Sequence, residues 1–176
     1  MKKILAFSGS NSSQSINSSL VKYTLSLVES ETKYVNLIDF DFPLFSVDLE
    51  NEIKQPKGVK DLLTIINLYD KIIISTPEHN GSIPAFFKNI LDWLSRSGVK
   101  YLDGKDILLM STSTGKGAAV KAAEYAEKLL KYAGGNIQAN YSLPEFNKNF
   151  TLQDNKISDE ELNAQLIKTI AQFLAS

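Results

Sequence analysis

The 176-residue sequence has no cysteine, a single histidine and almost no net charge, and each shortage removes a class of chemistry. Without cysteine there are no disulfides, no thiolate nucleophiles and no thiolate metal centres. The lone histidine, His79, leaves any metal site to be built from carboxylates, which the neighbouring sequence does not supply. Lys and Arg number 19 against 20 Asp and Glu, a formal charge of −1. That balance gives no electrostatic case for nucleic acid or an anionic membrane as a partner. No apolar run approaches the length needed to cross a bilayer. The chain passes from Met1-Lys2-Lys3 straight into a short apolar strand, without the longer apolar core and cleavage site of a signal peptide. A soluble cytoplasmic protein is expected.

What remains is ordinary globular material, 43% hydrophobic and 22% charged. The length suits one domain over residues 1–176, and neither a repeat nor a linker divides it. Short apolar runs predict strands at Lys3–Ser8, Lys33–Ile38, Lys71–Thr76, Asp106–Thr112 and Asn136–Tyr141. Helical patterns lie between them, near 15–30, 57–69, 84–96 and 117–133, with a last one near 158–175. Ile16, Leu20, Tyr23 and Leu27 repeat at helical spacing. Pro84 suits a first helical turn, and Gly134-Gly135 suit a helix stop. Ser158 and Glu161 read as a capping box ahead of the apolar stripe Leu162, Leu166, Ile170, Phe173. Strand–helix alternation of this kind predicts right-handed crossovers and a mostly parallel sheet.

The strands differ in a way that orders them. Ile4-Leu5-Ala6-Phe7, Ile72-Ile73-Ile74 and Ile107-Leu108-Leu109-Met110 are unbroken apolar runs, as strands buried on both faces are. The second and fifth strands mix polar with apolar residues and read as edges. Order 2-1-3-4-5 satisfies this, whereas the dinucleotide order 3-2-1-4-5-6 puts the second strand inside. The expected fold is therefore α/β: a flavodoxin-like, doubly wound, five-stranded parallel sheet with helices on both faces. Ligands bind such sheets beyond the carboxyl ends of the strands, at the switch point between the first and third.

Three loops sit there. Residues 8–17, SGSNSSQSIN, offer hydroxyls, amides and a helix start, but no basic side chain. Two readings stand side by side: an anion site of neutral donors, suited to a single terminal phosphate, or a serine-rich helix cap. The loop matches neither G-x-G-x-x-G nor the P-loop pattern. Residues 76–84, TPEHNGSIP, contain a fixed Pro77 and the turn pair Asn80-Gly81, which can present backbone groups to a planar heterocycle. For His79, lining the ligand is favoured over proton transfer. Residues 110–119, MSTSTGKGAA, let the backbone approach a ligand closely at Ser113, Thr114 and Gly115. Lys116 serves either an anionic ligand or the solvent.

These segments resemble a known family. GSNSSQSIN is similar to the G-S-x-R-x-x-S-x-N loop of the NADPH-dependent FMN reductases, a flavodoxin-like group that includes quinone, azo-dye and chromate reductases. TPEHNGSIPAFFKNILDWLSR resembles that family's P-E-Y-N-G-S-x-P…K-N-x-x-D-W segment almost throughout, and the likeness extends over roughly residues 3–140. The resemblance implies that Ser10, Ser12, Ser15, Ile16 and Asn17 hold the FMN phosphate. It places Pro77, Glu78, His79, Asn80 and Gly81 along the isoalloxazine ring, with Ser113, Thr114 and Gly115 on its far side. Two departures stand out: Ser12 replaces the family's usual arginine, and His79 its usual tyrosine.

The activity so implied is an oxidoreductase that passes hydride from NADPH or NADH to bound FMN. A small acceptor (quinone, flavin, azo compound or metal oxyanion) then takes it in a ping-pong cycle with no catalytic side chain and no metal. A homodimer or homotetramer is the expected assembly. The alternative is a flavodoxin-type electron carrier without a pyridine-nucleotide site, although such carriers tend to be strongly acidic. A hydrolase or binding protein for another phosphorylated ligand ranks last, since no G-x-S-x-G elbow is present.

Overall fold

The computed structural model describes residues 3–176; Met1 and Lys2, on which the reading of the N-terminus partly rests, lie outside the described residues. In chain order the elements are β1 (Ile4–Ser8), α1 (Ile16–Ser26), β2 (Thr32–Tyr34), a 3₁₀ turn (Leu37–Asp39), α2 (Val47–Ile53), α3 (Lys57–Asn67) and β3 (Lys71–Thr76). There follow α4 (Ala85–Ser95), β4 (Asp106–Thr112), α5 (Val120–Tyr132), β5 (Asn136–Leu143), α6 (Phe146–Asn149), β6 (Phe150–Thr151), β7 (Lys156–Ile157) and α7 (Glu160–Ala175).

The main sheet has the order β2-β1-β3-β4-β5 and is parallel throughout. Burial follows the apolar runs that ordered the strands. Every residue of β1 and β3 is buried, and all but the first of β4, whereas β2 is largely exposed and β5 alternates. The inner strands expose two apolar faces, and each is covered. On one face α3, α4 and α5 bury Leu62, Phe87, Trp93 and Leu130 against Leu5, Ile72, Ile74 and Leu109. On the other, α1 and α7 bury Leu20, Leu166 and Phe173 against Ala6, Ile73 and Leu108. The crossovers after β2, β3 and β4 thus lie on one side, and the crossover after β1 lies on the other with the last helix, α7.

Several local expectations are corrected. The strand placed at Lys33–Ile38 ends at Tyr34; Val35 and Leu37 are buried, but Val35 lies just past the strand, its N–H still donating to Ala6 O at 2.8 Å, and Leu37 in the 3₁₀ turn. Pro84 is the residue before α4, not within its first turn. The cap of the last helix is Asp159, whose Oδ1 accepts from the Leu162 amide at 2.9 Å, and not Ser158. Both residues suit a cap, and the helix simply starts later than the Ser158 spacing implies. The helix expected from 117 begins at Val120, because Ala118 and Ala119 adopt left-handed backbone. Its end is as read: Gly135 N–H donates to Leu130 O and Gly134 N–H to Lys131 O. The short helix α2 and the antiparallel pair β6–β7 were not expected, being too short for a periodic signal.

Two fastenings hold the crossovers. Asn89 of α4 accepts from the Phe45 amide and donates to the Phe42 and Pro43 carbonyls, while Trp93 Nε1 donates to Pro43 O at 2.7 Å. At the amino end of the sheet, Lys71 is 1% exposed. Its Nζ donates to Asp106, to the Phe173 carbonyl and to Ser176, joining β3 and β4 to the end of α7. This buried cation lies at the opposite end of β3 from the loops that carry the chemistry.

Candidate functional site

The carboxyl ends of β1, β3 and β4 open into three loops, and these enclose an open cleft of about 260 Å³. The first loop contributes Ser10, Ser12, Ser15, Ile16 and Asn17; the second Pro77, Glu78 and His79; the third Ser113 and Thr114. Asn80, Gly81 and Gly115 lie outside the lining. Gln14 and Thr112 line it as well, and neither was singled out from sequence. Thr112 was accessible to the strand-end rule, since it is the last residue of a central strand.

In the first loop the hydroxyls act twice over. Ser10 Oγ accepts from the Ser12 amide, Ser12 Oγ from the Gln14 amide, and Ser15 Oγ caps α1 by accepting from the Ser18 amide. A hydroxyl has one proton to donate besides its acceptor sites. The three O–H groups therefore keep a donor each after shaping the loop. The Ile16 and Asn17 amides lie in the first turn of α1, where no intrahelical acceptor exists. Capping and anion binding, posed as alternatives by the sequence, are compatible here. No Lys or Arg lines the cleft among the described residues; Lys116 is exposed and stands outside it.

Asn17 is turned inward. Its side chain is 1% exposed and bridges the two central strand ends. Oδ1 accepts from Ser75 Oγ at 2.6 Å and from the Thr112 amide at 3.2 Å, and Nδ2 donates to Thr112 O at 3.2 Å. Its amide side chain is thus committed to the scaffold, and what it offers the cleft is its backbone N–H.

The second loop is a miniature hairpin. His79 and Ser82 exchange backbone hydrogen bonds of 2.9 and 3.1 Å around Asn80-Gly81. Both turn residues have positive φ, 52° and 74°, the pattern of a two-residue type I′ turn, and glycine meets it without a Cβ penalty. The third loop is braced from the start of α6, just after β5. Glu145 N–H donates to Gly115 O and Phe146 N–H to Ser113 O, both at 3.0 Å. These braces are backbone groups of residues that no motif marks.

Gly9 is required by a close approach. Its amide donates to Ser75 O at 2.9 Å, and a Cβ there would lie 2.5 Å from Phe87 Cγ. Phe87 is fully buried in α4 and cannot swing away. Gly9→Ala is therefore expected to cost about 1–3 kcal/mol of stability through overpacking. A urea midpoint unchanged from wild type would show that the loop yields instead.

The donor set suits a phosphate beside a planar group: neutral O–H and N–H donors at a helix start, and a rigid hairpin opposite. A larger apolar groove of about 470 Å³ runs between α4 and α5 past Leu91, Val99 and Tyr132, but none of the three loops reaches it. Among the described residues no three His, Cys, Asp or Glu side chains gather as metal ligands, and no helix is long and apolar enough to cross a membrane.

Comparison with known proteins agrees with this arrangement. Quinone reductase of Escherichia coli is 30% identical over 129 residues, covering 72% of this chain and 67% of that one. The NAD(P)H-dependent FMN reductase of Pseudomonas aeruginosa is 28% identical over 131 residues, 74% and 70% of the two chains. Among solved structures, the flavoenzyme NAD(P)H:(acceptor) oxidoreductase FerB from Paracoccus denitrificans superposes with a TM-score of 0.80 at 26% identity, covering 99% of this chain and 96% of that one. Residues 2–148 match the profile of the NADPH-dependent FMN reductases, and the chain belongs to that family.

Proposed function

We propose that this chain, as one FMN-binding domain over residues 1–176, is a cytoplasmic NAD(P)H-dependent reductase of small acceptors such as quinones. The observation that carries the reading is the cleft itself: neutral donors at the start of α1 face a rigid hairpin at the β1/β3 switch point. In this reading the hydroxyls of Ser10, Ser12 and Ser15 and the amides of Ile16 and Asn17 hold the phosphate. Pro77 to Gly81 support one edge of the ring system, and Ser113, Thr114 and Gly115 approach from the other side. FMN supplies two-electron transfer, taken from a nicotinamide and given to an acceptor in ping-pong order. The chain's own part is binding and orientation, so no side chain is assigned a proton. The cleft is shallow and open, which leaves room for nicotinamide and acceptor to use one place in turn. A homodimer or homotetramer is the proposed assembly.

Reconstitution with FMN, followed by rapid mixing with NADPH and separately with NADH, tests this. Bleaching of the flavin absorbance, then steady nucleotide oxidation once a quinone is added, is the expected result. A flavin that stays oxidised with both nucleotides would refute the enzyme reading.

A further inference from the structure

The side chain of Glu78 makes a bond that the cofactor reading does not use. Its Oε2 accepts from the backbone N–H of Ala122 at 3.3 Å, reaching from the loop after β3 to the third residue of α5. That amide is one of those a helix start leaves without an intrahelical acceptor. Nothing local serves it. The residue at the N-cap is Ala119, which has no side-chain acceptor, and the first turn contains no acid. Alanine is a poor N-cap residue. Lys121, in that first turn, adds positive charge where the helix dipole is already positive. Glu78 brings the acceptor and the negative charge that the α5 sequence lacks.

The turn into α5 also needs holding. Ala118 and Ala119 have φ of 50° and 60°, a region costly for alanine. Both are buried. One end of the loop is fixed by Ser111 Oγ donating to the Ala118 carbonyl at 2.7 Å, and the other by the Glu145 and Phe146 amides. Those ties run to β4 and to the segment after β5. The Glu78 carboxylate instead joins this loop's helix to the 77–82 hairpin across the cleft. Glu78 lines that cleft on one side, Ser113 and Thr114 on the other.

We propose that Glu78 is a positioning residue: its carboxylate caps α5 in trans and holds the strained 113–119 turn at a set separation from the hairpin. It thereby fixes the width of the slot open to a planar ligand. That the ligand is FMN rests on the reading above; the cap itself does not.

Two measurements on four proteins test the proposal: wild type, E78A, E78Q and the double variant E78A/A119G. The first is amide hydrogen exchange of flavin-free protein across residues 113–122, and the second is FMN titration. Loss of a helix cap predicts that E78A exchanges about tenfold faster there and binds FMN about tenfold more weakly. E78Q keeps an acceptor oxygen and is expected within about threefold of wild type on both counts. Glycine at 119 adopts the left-handed turn without help, so E78A/A119G is expected to recover slow exchange but not affinity, because the link to the hairpin is still missing. Wild-type exchange in E78A would overturn the proposal, as would recovery of affinity by E78A/A119G. Faster exchange spread evenly over the whole chain would overturn it too. Should wild type take up no FMN, the cofactor reading falls, and the exchange data alone then decide the role of Glu78.

Discussion

Asn17→Ala is expected to lower the free energy of unfolding by about 3–5 kcal/mol and to loosen the cleft. Three hydrogen bonds disappear with the amide, each with a net worth of about 1 kcal/mol. The larger effect is what remains behind. Ser75 Oγ is fully buried, and the Thr112 amide has its acceptor in Asn17. A buried donor left without a partner costs about 1–3 kcal/mol more. Because the side chain joins the first turn of α1 to the ends of β3 and β4, its loss also frees the phosphate loop from the sheet. A urea titration of flavin-free protein measures the first effect, and FMN affinity the second. A midpoint indistinguishable from wild type would mean that Ser75 and Thr112 find other partners, and the bridge would lose its assigned importance.

Ser10→Asp is expected to expel FMN while leaving the fold intact. Aspartate can still accept from the Ser12 amide, as Ser10 does now, so the loop keeps its turn. Its charge, however, sits among the donors assigned to the phosphate. Two like charges about 4 Å apart at an effective dielectric near 20 repel by about 4 kcal/mol. Affinity should therefore fall by at least about a hundredfold, with no nearby lysine or arginine in the lining to offset it. Ser10→Asn supplies the neutral control and should stay within about tenfold of wild type. Riboflavin, which has no phosphate, should bind the wild type and the aspartate variant alike. Undiminished FMN uptake by Ser10→Asp would place the phosphate elsewhere.

The sheet was legible because its signal is a bulk property. Whole strands of Ile and Leu against mixed strands report burial on both faces or one, and that ordering fixed the switch point. The Asn80-Gly81 turn was equally readable, since few residue pairs accept two left-handed conformations in succession. Contacts made by a side chain across long stretches of sequence were not. Asn17 stands in a loop of polar residues that all look alike, and only the fold shows that it points inward, 95 positions from Thr112. The two left-handed alanines break the rule that local propensity follows local structure, so the helix was expected to start too early. The bracing amides of Glu145 and Phe146 carry no side-chain signal of any kind. The neighbouring Asp159 and Ser158 show the finer limit: both are good caps, and the choice between them depends on where the β6–β7 pair releases the chain.

Asn89 and Trp93 belong to the helical half, residues 85–96, of the segment that resembles the family pattern, yet both spend their polar atoms on the backbone of residues 42–45. Neither borders the cleft. A search keyed to that helical half therefore sorts proteins by how a crossover is tied down, and is blind to what the cleft accepts. Two members that agree there and differ at exposed positions such as His79 are kin in architecture, while their chemical preferences are free to diverge.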